Sequence, residues 1–260
     1  MKKTKAQKLK LIRTKIDQID TSLVNLLNKR AGLAKKTTVL KERIVYDPKR
    51  EKQILQNLKK KNKGPIENEA MTGIYEEILS TCRGVQKQAT ASFLGPEGSH
   101  THHAAQKILG RSASFVPKQT ISEVFSSVEL GESPCGIVPL ENSLEGPVVE
   151  TLDRLVDKNV RITSESHIKI FHCLMSKQKN LKKIKKIYSH PQAIGQCQEF
   201  IKQNLWESEI VEVQSTAKAA EIVTKESSAA AIAPEPCSQI YSLNLLKKNI
   251  QDTQENMTIF

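Results

Sequence analysis

Between Leu9 and Leu40, apolar residues return every seven positions as Ile12, Ile19, Leu26, Leu33 and Leu40, with a second row of Ile16 and Leu23 and a third of Leu27 and Ala34. A stripe of that period describes one long amphipathic helix. Ile44 to Asp47, followed by Pro48, interrupts it. A second helix is expected from about Pro48 to Lys61, with proline early in the helix, where its missing N–H costs little. KNKGP then reads as a turn, and a third helix spans roughly Ile66 to Lys87, with Met71, Ile74, Ile78 and Val85 on its core face. Three helices so unequal in length cannot cover the first one's apolar face by themselves. An intertwined helical dimer is the expected solution.

Beyond Ala89 short apolar runs alternate with helical segments: ASFLG then HHAAQKIL, SFV then ISEVFSSVEL, CGIVPL then VVETLDRLV. The pattern continues with KIYSH then AIGQCQEFI, EIVEV then AKAAEIV, and AAAIA. Such alternation predicts an α/β architecture, with helices covering a sheet. The Lys-rich stretch from Gln178 to Lys186 is expected to join two lobes. The organisation predicted is therefore a helical domain over 1–89 and an α/β domain over 90–260.

Charge sharpens the division. Residues 1–63 hold 20 Lys/Arg against 5 Asp/Glu, whereas the remaining 197 hold 20 against 23, so the excess behind the net charge of +12 sits in the helical region. Its partner should be anionic. The five cysteines are dispersed, with no C-x-x-C pair, and read as reduced structural thiols. No run of about 18 apolar residues exists, and no apolar stretch follows the basic start MKKTKAQKLK, so a cytoplasmic protein without a membrane partner is expected.

One inconsistency in the first helix carries chemistry. Arg30 continues the Ile16, Leu23 row and Lys41 continues the Leu27, Ala34 row. A single cation on such a face usually lays its stem on apolar surface and its charge in water. Two cations, eleven residues apart and so on one side of the helix, face the same inward space. A buried cation needs an anion.

Arg13 in IRTKIDQID, Arg30 in LLNKRAGLA, Lys41, Asp47, Arg50, Glu51 and Gln86 resemble the functional pattern of helical chorismate mutases. The second domain is similar to prephenate dehydratase in GPEGSHTHHAA (95–105), GIVPLENSLEG (136–146), YSHPQAIGQC (188–197), STAKAA (215–220) and NIQDTQENMTIF (249–260). Each segment alone is weak; their order and spacing are not. Together they resemble the bifunctional chorismate mutase/prephenate dehydratase family. The resemblance implies a three-helix mutase domain, dimeric by intertwining, followed by a two-lobed α/β dehydratase domain with the architecture of periplasmic binding proteins.

The substrates so implied are chorismate and prephenate, both dianions, with no cofactor and no metal. A pericyclic rearrangement needs placed charge rather than a nucleophile. By resemblance, Arg30 and an Arg13 from a second subunit clamp the carboxylates, and Lys41 and Gln86 donate to the ether oxygen. Glu51 holds the hydroxyl, with Asp47 and Arg50 in support. Cys82 stands where the family often has Ser and weakens a donor. In the dehydratase domain Thr258 is the candidate donor to the departing hydroxyl. Asn142, Ser143, Ser189 and Gln196 are candidate polar liners, and Glu141 is a supporting acid.

Taken one by one, Asn and Ser before Gly cap turns and His-Pro ends strands, so each of these residues also has a plain structural reading. His100, His102 and His103 lack a distant ligand and read as surface residues rather than a metal site. His172, in IFHCLM, reads as a hydrogen-bonded core residue. Where the dehydratase pattern has Thr-Arg-Phe the chain has Thr258-Ile259-Phe260, losing a cation, and residues near a chain end tend to fray. The regulatory domain that usually follows has no counterpart in these 260 residues, which is consistent either with freedom from that control or with a piece of a longer chain. Two other readings are a mutase joined to a non-catalytic dehydratase-like binding domain, and a nucleic-acid-binding protein. The second lacks aromatic residues among its charges, Tyr46 being the only one in the first 63.

Overall fold

A computed structural model describes residues 4–38, 47–86 and 90–260. The residues up to Gln86, with Leu109–Ala113, form one compact unit, and Thr90–Ile108 with Ser114–Phe260 form another. No helix among the described residues is long and apolar enough to cross a membrane.

The first unit consists of α1 (Lys5–Thr38), α2 (Pro48–Lys61) and α3 (Asn68–Gln86), with α1 and α2 both packed on α3. Asp47 starts α2 by accepting the Arg50 N–H at 3.0 Å, which supplies one of the hydrogen bonds a helix start lacks. The buried side of α3 is Leu79, Ser80, Cys82 and Arg83, whereas Ile74 and Val85, expected inside, are exposed. The apolar row of α1 lies open: Ile12, Ile16, Ile19, Leu23 and Leu26 are each 50–61% exposed in the single chain.

In the second unit a first lobe holds the parallel sheet β2-β1-β3, formed by β1 (Thr90–Leu94), β2 (Ser114–Lys118) and β3 (Gly136–Ile137). It carries α4 (His100–Leu109) and α5 (Ile121–Glu129). The CGIVPL strand is real only at Gly136–Ile137. The chain then runs into a small antiparallel sheet through β4 (Glu141–Asn142), β5 (Gly146–Pro147), α6 (Val149–Asp157) and β6 (His167–Lys169).

The second lobe begins at β7 (Cys173–Ser176). It continues through β8 (Lys186–Ser189), α7 (Pro191–Gly195), α8 (Gln198–Asn204), β9 (Glu209–Glu212), α9 (Thr216–Val223), β10 (Ala229–Ala233), α10 (Pro236–Ile240) and β11 (Asn244–Lys247). Its sheet order is β11-β7-β10-β8-β9. Alanine is a poor strand former, yet every residue of AAAIA in β10 is buried, because these small side chains let Ala217 and Ala220 of α9 pack close.

The chain then returns to the first lobe as β12 (Met257–Ile259), inserted between β4 and β6. Gln178–Lys186, expected to join the lobes, connects β7 to β8 inside the second lobe. The crossings are the short stretches 170–172 and 248–256. The end is tied rather than frayed, because Phe260 and Ser166 exchange both backbone hydrogen bonds at 2.9 Å.

The helix expected over AIGQCQEFI breaks in two at Gln196. Its carbonyl accepts the Asp252 N–H at 2.7 Å, and the Asp252 carboxylate accepts the Glu199 N–H that opens α8. A residue on the return crossing thus sets a break that no local propensity dictates.

The turn before α4 depends on Gly98, at φ +83°, where a Cβ would lie 2.7 Å from Cys237 Sγ of α10. Gly98→Ala combines a left-handed penalty with overpacking and should cost about 2–4 kcal/mol in urea unfolding. Gly131→Ala, also at positive φ but with open space around it, should cost only about 1 kcal/mol. Equal losses would show that the close approach to α10 is not a constraint.

Candidate functional site

In the helical unit, the Arg30 guanidinium of α1 donates to Cys82 Sγ of α3 at 2.8 Å, and Gln86 Nε2 donates to Ala34 O at 2.9 Å. Arg30, Cys82 and Gln86 thus share one seam. Glu51 on α2 pairs with the buried Arg83 of α3. Sequence reasoning missed Arg83, although its place four residues after Leu79 puts it on the buried stripe. Asp47 is occupied as the α2 cap, Arg50 donates to Gln53 Oε1 at 2.7 Å, and Arg13 is exposed on α1. Lys41 lies outside the described residues.

The α/β unit holds a cleft of about 330 Å³. It is lined from the first lobe by Ser99, His100, Thr101, Asn142 and Glu145, and from the second by His190, Gln196, Ser215 and Thr216. The two crossings add His172 and Asn256, and β12 adds Thr258. No lysine or arginine is among these residues. Positive potential comes instead from the N-terminal ends of α4 and α9, whose first residues line the cleft.

Strand pairing places Thr258 opposite Asn142. Asn142 Oδ1 accepts the Leu144 and Glu145 N–H groups at 3.0 and 3.2 Å. Its Nδ2 donates to Thr258 Oγ1 at 2.8 Å and to Asn256 Oδ1 at 2.7 Å. Asn256 Nδ2 in turn reaches Gln196 Oε1 at 2.8 Å, and His172 Nε2 reaches the same oxygen at 2.9 Å. Thr258, Asn142 and Gln196, three residues singled out in the sequence, are joined in one network. Asn256 and His172 were not expected there.

Two expected liners and the expected supporting acid lie elsewhere. Ser189 is fully buried and gives its hydroxyl to Ile232 O at 2.7 Å, tying β8 to β10. Ser143 bridges Glu255 O and Met257 N and so fastens β12 to the turn after β4. Glu141 is exposed outside the cleft, and Glu145 takes the acidic position instead. Alternation along β12 turns Ile259 to the face opposite Thr258, so a cation at 259 would not share the space Thr258 faces.

Of the three clustered histidines only His103 is the exposed residue expected; His100 is half-buried and lines the cleft. His102 is buried, stacks on Phe93 at 4.8 Å and accepts the Gly98 N–H at 3.0 Å, fixing the turn before α4. Burial, reinforced by His172 and then His103, holds the His100 pKa down to about 3. Burial also lowers that of His172, against the opposing effect of its bond to Gln196. His172 is the hydrogen-bonded buried residue that the sequence suggested, and it also lines the cleft.

The chain matches two family descriptions, chorismate mutase type II over residues 12–87 and prephenate dehydratase over residues 91–260. It is 38% identical to the bifunctional chorismate mutase/prephenate dehydratase of Aquifex aeolicus, over 98% of this chain and 72% of that protein. The Pseudomonas aeruginosa protein of the same description is 36% identical, over 97% of this chain and 72% of its own length. The crystal structure of prephenate dehydratase from Arthrobacter aurescens in complex with L-Phe aligns with a TM-score of 0.62 at 30% identity, over 66% of this chain and 59% of that one.

An unfolded His100 takes up a proton near its ordinary value of 6.5, whereas the folded one does so only near 3. Between those values the unfolded chain binds more protons, so stability present above about pH 6.5 is lost as the pH falls. Thermal unfolding followed from pH 7 down to pH 4 should therefore show a falling midpoint, and His100→Phe should flatten the fall. Parallel curves for the two proteins would contradict the burial of a neutral His100.

Proposed function

This chain belongs to the bifunctional chorismate mutase/prephenate dehydratase family, and from that membership we propose how its residues divide the work. The helical unit rearranges chorismate to prephenate. The α/β unit takes prephenate to phenylpyruvate, releasing carbon dioxide and water. As part of the same reading the protein is cytoplasmic, in keeping with five free cysteines.

For the mutase, Arg30 and an Arg13 supplied by a second copy of the chain clamp the two carboxylates. Lys41 and Gln86 donate to the ether oxygen, where negative charge grows as the C–O bond breaks. Glu51, steadied by Arg83, accepts the substrate hydroxyl, with Asp47 and Arg50 in support. Cys82 keeps Arg30 in place across the seam. The homodimer is supported by the open apolar row of α1, because a stripe of that length is seldom left to water in a monomer.

For the dehydratase, the C–C bond to the ring carboxylate breaks, its electron pair enters the ring, and the hydroxyl leaves as aromaticity forms. Thr258 supplies the donor that this departure needs. The observation that carries the assignment is the bond from Asn142 Nδ2 to Thr258 Oγ1. The Leu144 and Glu145 N–H groups can only donate, so Asn142 presents its nitrogen to Thr258, and the threonine proton is left to point into the cleft. The substrate carboxylates lie toward the α4 and α9 ends, where backbone N–H groups and helix dipoles favour anions.

Purified chain given chorismate should form prephenate and then phenylpyruvate. Thr258→Val should lower phenylpyruvate formation about 100- to 1,000-fold while leaving mutase turnover unchanged, and Lys41→Met should lower mutase turnover by a similar factor while leaving phenylpyruvate formation from added prephenate unchanged. Accumulation of prephenate by a well-folded native chain would reduce the α/β unit to a binding domain. Sedimentation should find a dimer, and Ile19→Lys with Leu23→Lys should yield monomers without mutase activity. A fully active monomer would remove the second copy from the reading.

A further inference from the structure

We propose that His172 is a positioning residue of the dehydratase site, turning the Gln196 amide so that its –NH2 group faces an acceptor oxygen of the dianionic substrate. The inference rests on the reading of the cleft as the prephenate site.

It follows from which atoms can donate. Because two backbone N–H groups fix the oxygen of Asn142, its nitrogen must face Asn256. That nitrogen donates, so the facing atom of Asn256 is Oδ1, and Asn256 meets Gln196 with Nδ2. Gln196 therefore presents Oε1 to the network. The His172 nitrogen 2.9 Å from that oxygen must carry its hydrogen, and since burial keeps the ring neutral, Nδ1 is bare.

Two donors thus converge on Gln196 Oε1, leaving Nε2 as the unpaired end of the amide. Nε2 is buried without a hydrogen-bond partner among the described residues, and Gln196 lines the cleft. An unsatisfied buried donor is destabilising, a penalty removed when an anionic oxygen arrives. Without the His172 donor only Asn256 would hold the amide against turning over, which would set an oxygen against a dianion. In a cleft lined by no Lys or Arg among the described residues, the direction of this one amide carries weight.

The test compares prephenate kinetics of the whole chain with those of His172→Gln, His172→Asn and His172→Phe. Glutamine places a donor at the reach of Nε2, whereas asparagine places one only at the reach of Nδ1 and phenylalanine keeps the ring shape alone. The Asn and Phe variants should raise KM about 10- to 100-fold, the loss of one charge-assisted hydrogen bond, with kcat within about threefold. The Gln variant should stay close to the native KM. In a Gln196→Met background, His172→Phe should have no further effect on KM, because the group it positions is gone. A role in packing alone would instead lower the unfolding temperature of Asn and Gln variants alike, and its cost would persist beside Gln196→Met.

Native KM in both the Asn and Phe variants, or additive losses in the double variant, would overturn the assignment while leaving the cleft's function intact. A native chain that neither binds nor consumes prephenate would sink the reading of the cleft, and this assignment with it.

Discussion

The dehydratase site depends on the insertion of β12 between β4 and β6. Strand register is all-or-none, because a slip of one residue would turn Thr258 away from the cleft and Ile259 toward it. The pairing of Thr258 with Asn142 is held by ladder bonds, by Ser143 clasping the Met257 N–H, and by the exchange between Phe260 and Ser166. The network from Asn142 through Asn256 to Gln196 is then built on atoms whose positions the sheet has already set.

On the proposed reading the two units handle dianions in contrasting ways. The helical seam uses full charges on long side chains, with Arg30 set against Cys82 and Glu51 against Arg83. Desolvating such groups is costly, so each is held by a partner when substrate is absent. The cleft of the α/β unit has no Lys or Arg among its described lining residues and relies on amides, hydroxyls and helix ends, fixed dipoles whose directions matter more than their magnitudes. His100 and His172 fit that design, since burial holds their pKa values down and so favours the neutral ring.

Much of the fold was legible in the sequence because the signal was local. The seven-residue rows of α1, the proline at the head of α2 and the β-α alternation from ASFLG to AAAIA each follow from backbone periodicity. Arg30 was legible for the opposite reason, as a charge that breaks its own row. What failed was non-local. The face of α3 depends on which neighbours cover it, so Ile74 and Val85 lie outside while Arg83 lies inside. The break at Gln196 comes from Asp252, more than fifty residues away. His172 is a core residue by every local measure, and only the approach of Gln196 gives it a second part. Ser189 and Glu141 stand in the right motifs, but Ser189 gives its hydroxyl to Ile232 O and Glu141 is exposed outside the cleft.

The strand that completes the cleft also bears on how the protein comes into being. Thr258 and Asn142 are separated by 116 positions, and the second lobe is made in between. A ribosome therefore delivers the helical unit first, then an α/β unit whose small sheet lacks its central member. Closing so long a loop is slow compared with forming a helix. One catalyst can thus be finished while the other is still a half-open sheet, and the exposed edges of β4 and β6 are where the nascent chain most needs protection from stray pairing.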